Sequence, residues 1–216
     1  MKKRALNLEL YLVTDRELSL GRNIEYIVEK AVKGGTSLVQ LREKDLPARE
    51  FIALGEKLLH ILSPRGIPLL INDRVDIALA IGADGVHIGQ SDIPYPVARK
   101  ILGPRAIIGL SVETISQAEE ANRYDLNYIA ASPVFTTPTK KELINELGLE
   151  GVSKIRAVSR HPMVAIGGIK SINAADVIRA GADGVAIVSG ICSAEDPEKA
   201  SDELKKIVNS VINKIR

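Results

Sequence analysis

Eight short runs of branched apolar residues, separated by segments of helical periodicity, constrain this chain more than any other feature. They are LELYLVT (8–14), SLVQL (37–41), IPLLI (67–71), GVHIG (85–89), AIIGL (106–110), NYIAA (127–131), PMVAI (162–166) and GVAIV (184–188). Most lack polar alternation, the pattern of strands covered on both faces in a parallel sheet. Between them NIEYIVEKAVKGG, PAREFIALGEKLLHIL, SINAADVIRAGA and DPEKASDELKKIVNSVI repeat apolar residues at helical spacing. Eight strands alternating with helices in 216 residues predict a closed α/β barrel, the (β/α)8 TIM barrel, as a single domain over 1–216. The competitor, an open doubly wound sheet, would carry a glycine-rich fingerprint after its first strand. Here the first run leads into TDREL instead.

Turn chemistry agrees with the alternation. Glycine closes several helices just before the next run, as in KGGTSLVQL, IGADGVHIG and AGADGVAIV. The phrase Gly-Ala-Asp-Gly-Val occurs at 82–86 and again at 181–185, leading into the fourth and eighth runs. It points weakly to a repeated strand–helix unit, because turn chemistry alone can recreate it.

Bulk properties exclude several classes of function. A net charge of +2 provides no basic stripe, and 3% aromatic residues provide no stacking face, so no nucleic-acid partner is expected. The basic tip MKKR precedes an apolar run that Glu9 interrupts, and no small-residue cleavage site follows. No apolar stretch approaches the roughly 20 residues that a bilayer span needs. A single cysteine, Cys192, forms no internal disulfide. The expectation is a cytoplasmic protein with no membrane partner. Its oligomeric state is left open, a homo-oligomer included.

In such a barrel, chemistry collects on the loops that follow the strands. The second run leads into Gln40-Leu41-Arg42-Glu43-Lys44, the third into Asn72-Asp73 and the fourth into Gln90-Ser91-Asp92. The fifth leads to Ser111, the sixth to SPVFTTPTKK, the seventh to Gly167-Gly168 and the eighth to Ser189-Gly190. Asp73 and Asp92 fit helix N-caps, since aspartate accepts hydrogen bonds from first-turn amides. On adjacent loops they equally fit a hard cation such as Mg2+, which favours one or two carboxylates plus substrate phosphates. Gln40, Arg42 and Lys44 alternate and so face one way if the strand continues. Arginine offers a fork for phosphate oxygens and lysine a point charge. Thr136 to Lys140 adds hydroxyls and an ammonium on a long loop, read either as an ordinary Thr/Pro turn or as a lid. The glycines after the seventh and eighth runs stand where barrels bind phosphate on backbone amides. His60, His87 and His161 lack metal-ligand spacing and read as packing residues, and no serine–histidine–acid order stands out. These residues describe a barrel that holds one polyanion through a metal and basic groups, with a second phosphate near strands seven and eight.

YLVTD, QLREK, INDRVDIALAIGADGVHIGQSD, the serine of GLSVET, PVFTTPTK, AIGGI and VSGI resemble, in order, the thiamine-phosphate synthase (thiamine-phosphate pyrophosphorylase) family. The resemblance runs from about Tyr11 to Ile191. It implies a transferase of thiamine biosynthesis that joins a pyrimidine diphosphate to a (carboxy)thiazole phosphate, giving thiamine phosphate and pyrophosphate. Carried over by position, it implies that Gln40, Leu41, Arg42, Glu43, Lys44, Asn72, Ser111 and Lys140 bind the pyrimidine diphosphate. Arg42, Lys44, Ser111 and Lys140 would serve catalysis, and Asp73 and Asp92 would hold Mg2+. Thr137, Pro138, Thr139, Gly168, Val188 and Ser189 would bind the thiazole phosphate. The chain departs from the family at Thr136, commonly proline, at Ala131-Ser132, often glycine, and at Glu113, often histidine. A thiazole tautomerase paralogue would not need the diphosphate set, and a non-catalytic phosphometabolite-binding barrel would not need it intact.

Overall fold

The structure, a computed structural model, describes residues 6–136 and 146–215. Eight parallel strands close into a barrel in chain order: β1 (Leu10–Val13), β2 (Leu38–Leu41), β3 (Leu69–Asn72), β4 (Gly85–Ile88), β5 (Ile107–Val112), β6 (Tyr128–Ala131), β7 (Met163–Ile166) and β8 (Gly184–Ile187). β8 returns to β1 with Leu10 opposite Val185 and Leu12 opposite Ile187, so no strand edge is left open. The outer ring is α1 (Ile24–Lys33), α2 (Ala48–Leu62), α3 (Val75–Ile81), α4 (Tyr95–Leu102), α5 (Ile115–Ala121), α6 (Gly148–Val158) and α7 (Ser171–Arg179). A short α8 (Ser189–Cys192) follows β8 before the closing α9 (Pro197–Ile215). The predicted barrel and all eight strands are present, with no end shifted by more than two residues.

Two apolar layers hold it together. Leu10, Leu12, Val39, Leu41, Ile71, Val86 and Ile108 turn outward and pack against the helices. Alternate residues turn inward, where Leu38, Leu70, Ile107, Val164 and Ala186 fill the lower barrel around Tyr11 and Tyr128. Both faces of each strand are therefore covered, which is why the runs showed so little polar alternation.

The repeated GADGV phrase does the same structural work twice. Asp84 Oδ2 accepts from the Leu69 amide at 3.0 Å, and Asp183 Oδ2 accepts from the Met163 amide at 2.8 Å. Each aspartate thus ties the start of one strand to the start of its neighbour. The glycine that follows lies where the backbones meet: a Cβ on Gly85 would come 1.8 Å from the Ile107 carbonyl oxygen, and one on Gly184 would come 1.8 Å from that of Leu8.

Two local expectations are corrected. Neither Asp73 nor Asp92 caps a helix, because α3 takes Arg74 and α4 takes Pro94 as N-cap, neither with a side-chain cap bond. Ser111 lies within β5 rather than beyond it, because that strand extends to Val112. No helix of the described residues is long and apolar enough to cross a membrane.

Candidate active site

Gln40, Arg42, Asn72, Ser111, Gly168, Val188 and Ser189, read separately from five strand ends, line one cavity at the C-terminal mouth of the barrel. The atom-free space there, mouth included, is about 860 Å³. Tyr11, Val13, Ala130, Ile166 and Ala186 form its floor and apolar wall. A flat aromatic ring and a phosphorylated partner suit such a mixture of apolar wall and convergent polar groups.

β2 ends at Leu41, yet the alternation predicted for QLREK continues far enough to matter. Gln40 and Arg42 both face the cavity, while the Leu41 side chain turns into the outer layer against the helices. Glu43 is turned away from the cavity by Arg16, whose Nε and Nη2 donate to it at 3.1 and 2.9 Å. Neither Leu41 nor Glu43 is part of the cavity lining. Arg42 is held by its neighbour strand: Nη1 donates to Asp15 Oδ2 at 3.0 Å, and its amide donates to Thr14 Oγ1 at 3.0 Å. The TDR stretch thus braces the REK stretch.

Lys44 stands outside the cavity lining, with Nζ 3.6 Å from Asp73 Oδ2. Asp73 adopts a left-handed backbone at φ 60°, a conformation that aspartate tolerates better than most residues. Its amide donates to the His87 carbonyl at 2.9 Å, which locks the β3 loop against β4. Across from it, Asp92 accepts from the Gly89 amide at 2.6 Å. Burial first, and then the neighbouring Asp92 carboxylate, push Asp73 up to about 6, with Lys44 pulling the other way. Two carboxylates this close, offset only by the exposed Lys44 ammonium, are a fitting pair for a divalent cation. Among the described residues no group of three or more acidic, histidine or cysteine side chains converges as a metal site. A cation held by this pair would draw its other ligands from phosphate and water, the donor set that Mg2+ prefers.

On the far side of the mouth, Gly167 and Gly168 take φ values of 106° and 63°. A Cβ on Gly168 would lie 2.7 Å from the Thr136 carbonyl oxygen and 2.8 Å from the Phe135 Cβ. Only glycine lets this backbone run past the β6 loop. α8 begins at Ser189, beside it. Its C-terminal side is clamped by Arg22, which donates to the carbonyls of Cys192 and Ala194 at 2.7 Å each. Thr137, Pro138, Thr139 and Lys140 lie outside the described residues.

Several residues of the site were not singled out in the sequence. His87, read as a packing residue, lines the cavity and contacts Ser111. Tyr11 and Tyr128 lie 117 positions apart, yet their hydroxyls meet at 2.9 Å in the barrel interior. No signal in the chain pairs them. Asp15, shared by the YLVTD and TDREL stretches, had no role assigned from the sequence, although its ion pair is what positions the Arg42 guanidinium. Cys192 is buried, and desolvation pushes its thiol up to about 11, away from the thiolate form that a nucleophile needs.

Comparison with known proteins agrees with this geometry. The family described as Thiamine monophosphate synthase matches residues 10–191. The thiamine-phosphate synthase of Leptospira biflexa serovar Patoc is 54% identical over 200 residues, 91% of this chain and 95% of that protein. That of Albidiferax ferrireducens is 48% identical over 204 residues, 94% of this chain and 93% of its own length. Among solved structures, thiamine phosphate pyrophosphorylase from Pyrococcus furiosus superposes with a TM-score of 0.88 at 40% identity, covering 95% of this chain and 98% of that one. A 3-hexulose-6-phosphate synthase shares the barrel alone, at 17% identity and a TM-score of 0.70. With the family match spanning nearly the whole barrel, this chain belongs to the thiamine monophosphate synthase family.

Proposed function

We propose that this barrel is a thiamine-phosphate synthase, joining an aminopyrimidine methyl diphosphate to a thiazole phosphate. The observation that carries the reading is convergence. Residues assigned to the two substrates, Gln40, Arg42, Asn72 and Ser111 for one and Gly168, Val188 and Ser189 for the other, line the same cavity. In the reaction the bond between the pyrimidine methylene and the diphosphate oxygen breaks, and its electron pair leaves with pyrophosphate. A new carbon–nitrogen bond forms from the lone pair of the thiazole nitrogen. The electron-rich aminopyrimidine supports positive charge on that methylene, so no nucleophilic side chain is required.

The protein's contribution is charge and placement. Arg42, braced by Asp15, aims a preset guanidinium at the oxygens that gain charge as the leaving group departs. Lys44 adds a second cation beside Asp73. Asp73 and Asp92 would hold Mg2+, which supplies positive charge to the diphosphate when bound. Open amides around Gly168 and Ser189 would hold the thiazole phosphate, and the shared cavity removes much of the entropy cost of bringing two rings together. Lys140 and Thr137 to Thr139 would complete the two sets of substrate contacts.

Purified protein should release pyrophosphate only when both phosphorylated halves are present, and EDTA should stop it. Turnover that ignores EDTA would remove the Mg2+ reading. Interconversion of the thiazole alone, without pyrophosphate, would replace the synthase reading with a tautomerase.

A further inference from the structure

A chain of five side chains crosses the barrel interior and joins the two pocket residues Gln40 and Ser111. Gln40 Nε2 donates to the Tyr11 hydroxyl, whose oxygen lies 2.9 Å from that of Tyr128. The Tyr128 hydroxyl lies 2.8 Å from Nδ1 of His87, and Nε2 of His87 lies 2.9 Å from the Ser111 Oγ. The links come from β2, β1, β6, β4 and β5 in turn. Packing fixes them: the Tyr128 ring stacks on His87 with centroids 5.6 Å apart and meets Tyr11 edge-on at 5.9 Å. Gly109 leaves the space that Tyr128 fills, since a Cβ there would lie 2.1 Å from Cζ.

Donor counting gives this chain a direction. The Gln40 amide nitrogen only donates, so the Tyr11 oxygen accepts there, and giving the buried Tyr11 O–H an acceptor requires it to pass on to Tyr128. Tyr128 then spends its own hydrogen on Nδ1 of His87. Neutral histidine has one N–H, so His87 carries it on Nε2 and donates to Ser111. The Ser111 oxygen is thereby occupied as an acceptor, and its hydrogen is left for the cavity. Burial pushes both tyrosine hydroxyls well above their ordinary values, so each remains an O–H donor. Turning the Gln40 amide over would reverse every link and make Ser111 an acceptor instead. A charged imidazole would leave one tyrosine hydrogen without an acceptor in the chain.

We infer that His87 and Tyr128 are positioning residues, through which the Gln40 amide sets Ser111 as a hydrogen-bond donor to the pyrimidine diphosphate. The inference rests on the proposed synthase reading for the identity of that substrate, and it assigns the Nε2–H tautomer independently of it. Tyr128 does not line the cavity, so its Oη can be removed without touching substrate.

The test is a double-mutant cycle. Tyr128→Phe should keep the melting curve of a folded barrel and lower kcat/KM for the pyrimidine diphosphate by about tenfold, the scale of one lost hydrogen bond. The KM for the thiazole phosphate should stay within roughly twofold, as expected for a site outside the chain. In a Ser111→Ala background the same substitution should change kcat/KM by no more than roughly twofold, because the group it acts through is gone. Full additivity would overturn the inference by making Tyr128 a general packing residue. Should Tyr128→Phe fail to fold, nitrogen-15 spectra of histidine-labelled wild type decide the matter. There are only three histidines, and a His87→Asn sample assigns the signal by its loss. An unprotonated Nδ1 with a protonated Nε2 supports the chain's direction, whereas an Nδ1–H or doubly protonated ring overturns it. A wild-type protein that turns over neither substrate would defeat the synthase reading while leaving the tautomer result standing.

Discussion

Asp15 and Arg42, 27 positions apart, form an ion pair at 3.0 Å that fixes the guanidinium plane at the cavity wall. Both are partly shielded, with side chains 12% and 22% exposed, so the pair is less screened than a surface bridge. Only one of the five arginine N–H donors is used by Asp15, which leaves the rest of the fork for phosphate oxygens. Asp15→Asn keeps the shape and removes the charge that orients the fork. The expected result is a loss of about tenfold in kcat/KM for the pyrimidine diphosphate, roughly 1.4 kcal/mol of transition-state binding. Steady-state kinetics with each substrate varied in turn would show it, and an unchanged value would mean that Arg42 needs no brace.

Gly109 and Tyr128 share one volume in the barrel interior. A Cβ on Gly109 would come 2.1 Å from Cζ and 2.4 Å from Oη of Tyr128. Gly109→Ala must displace a fully buried ring, and overpacking of that kind costs about 1–3 kcal/mol. Gly66→Ala is a useful contrast, since φ is 66° there and nothing lies within 4 Å. Its cost is backbone strain alone, about 1 kcal/mol. Denaturant midpoints for the two variants should therefore separate, and equal midpoints would show that the interior relaxes around the added methyl.

Some of this was legible in the chain and some was not. Strand positions were legible because apolar runs, glycine-closed helices and a regular interval all agreed. The rim was legible because function follows the strand ends in a closed barrel. Which residues turn inward was not. Strands covered on both faces carry no alternation, so His87 inside β4 looked like any buried histidine, and Ser111 looked as if it followed β5. The Tyr11–Tyr128 contact depends on closure of the barrel, which no local pattern records. The helix-cap reading of Asp73 failed for a related reason. Its left-handed backbone turns it away from α3 and toward Asp92, a tertiary demand that a cap preference does not include.

Gly168 tests the second phosphate site separately from the first. Its φ of 63°, and the 2.7 Å at which an added Cβ would meet the Thr136 carbonyl oxygen, make any side chain both strained and obstructed. Gly168→Ala should push the β7 loop off the β6 loop and weaken the amide cradle. The KM for the thiazole phosphate is expected to rise by about tenfold or more, the scale of a lost charge-assisted hydrogen bond. The KM for the pyrimidine diphosphate should hold. Equal increases for both substrates would mean that the cavity is not divided in this way.

Asp73 predicts opposite pH responses with and without a divalent cation. Burial and the adjacent Asp92 raise it from 3.8 to about 6, so the folded state favours the protonated form. Its contribution to stability is complete below 3.8 and is lost as pH rises through about 6. In EDTA, Asp73→Asn should therefore raise the melting temperature at about pH 8, where wild type carries the repulsion, and the gain should fade toward about pH 5. Mg2+ needs the carboxylate, so its stabilisation of wild type should be largest at about pH 8 and shrink as protons compete near pH 6. Asp73→Asn and Asp92→Asn should both lose that stabilisation. Thermal melts at three pH values, with EDTA or excess Mg2+, supply the comparison. A Mg2+ effect of equal size at each pH, or one that survives in both variants, would place the cation elsewhere.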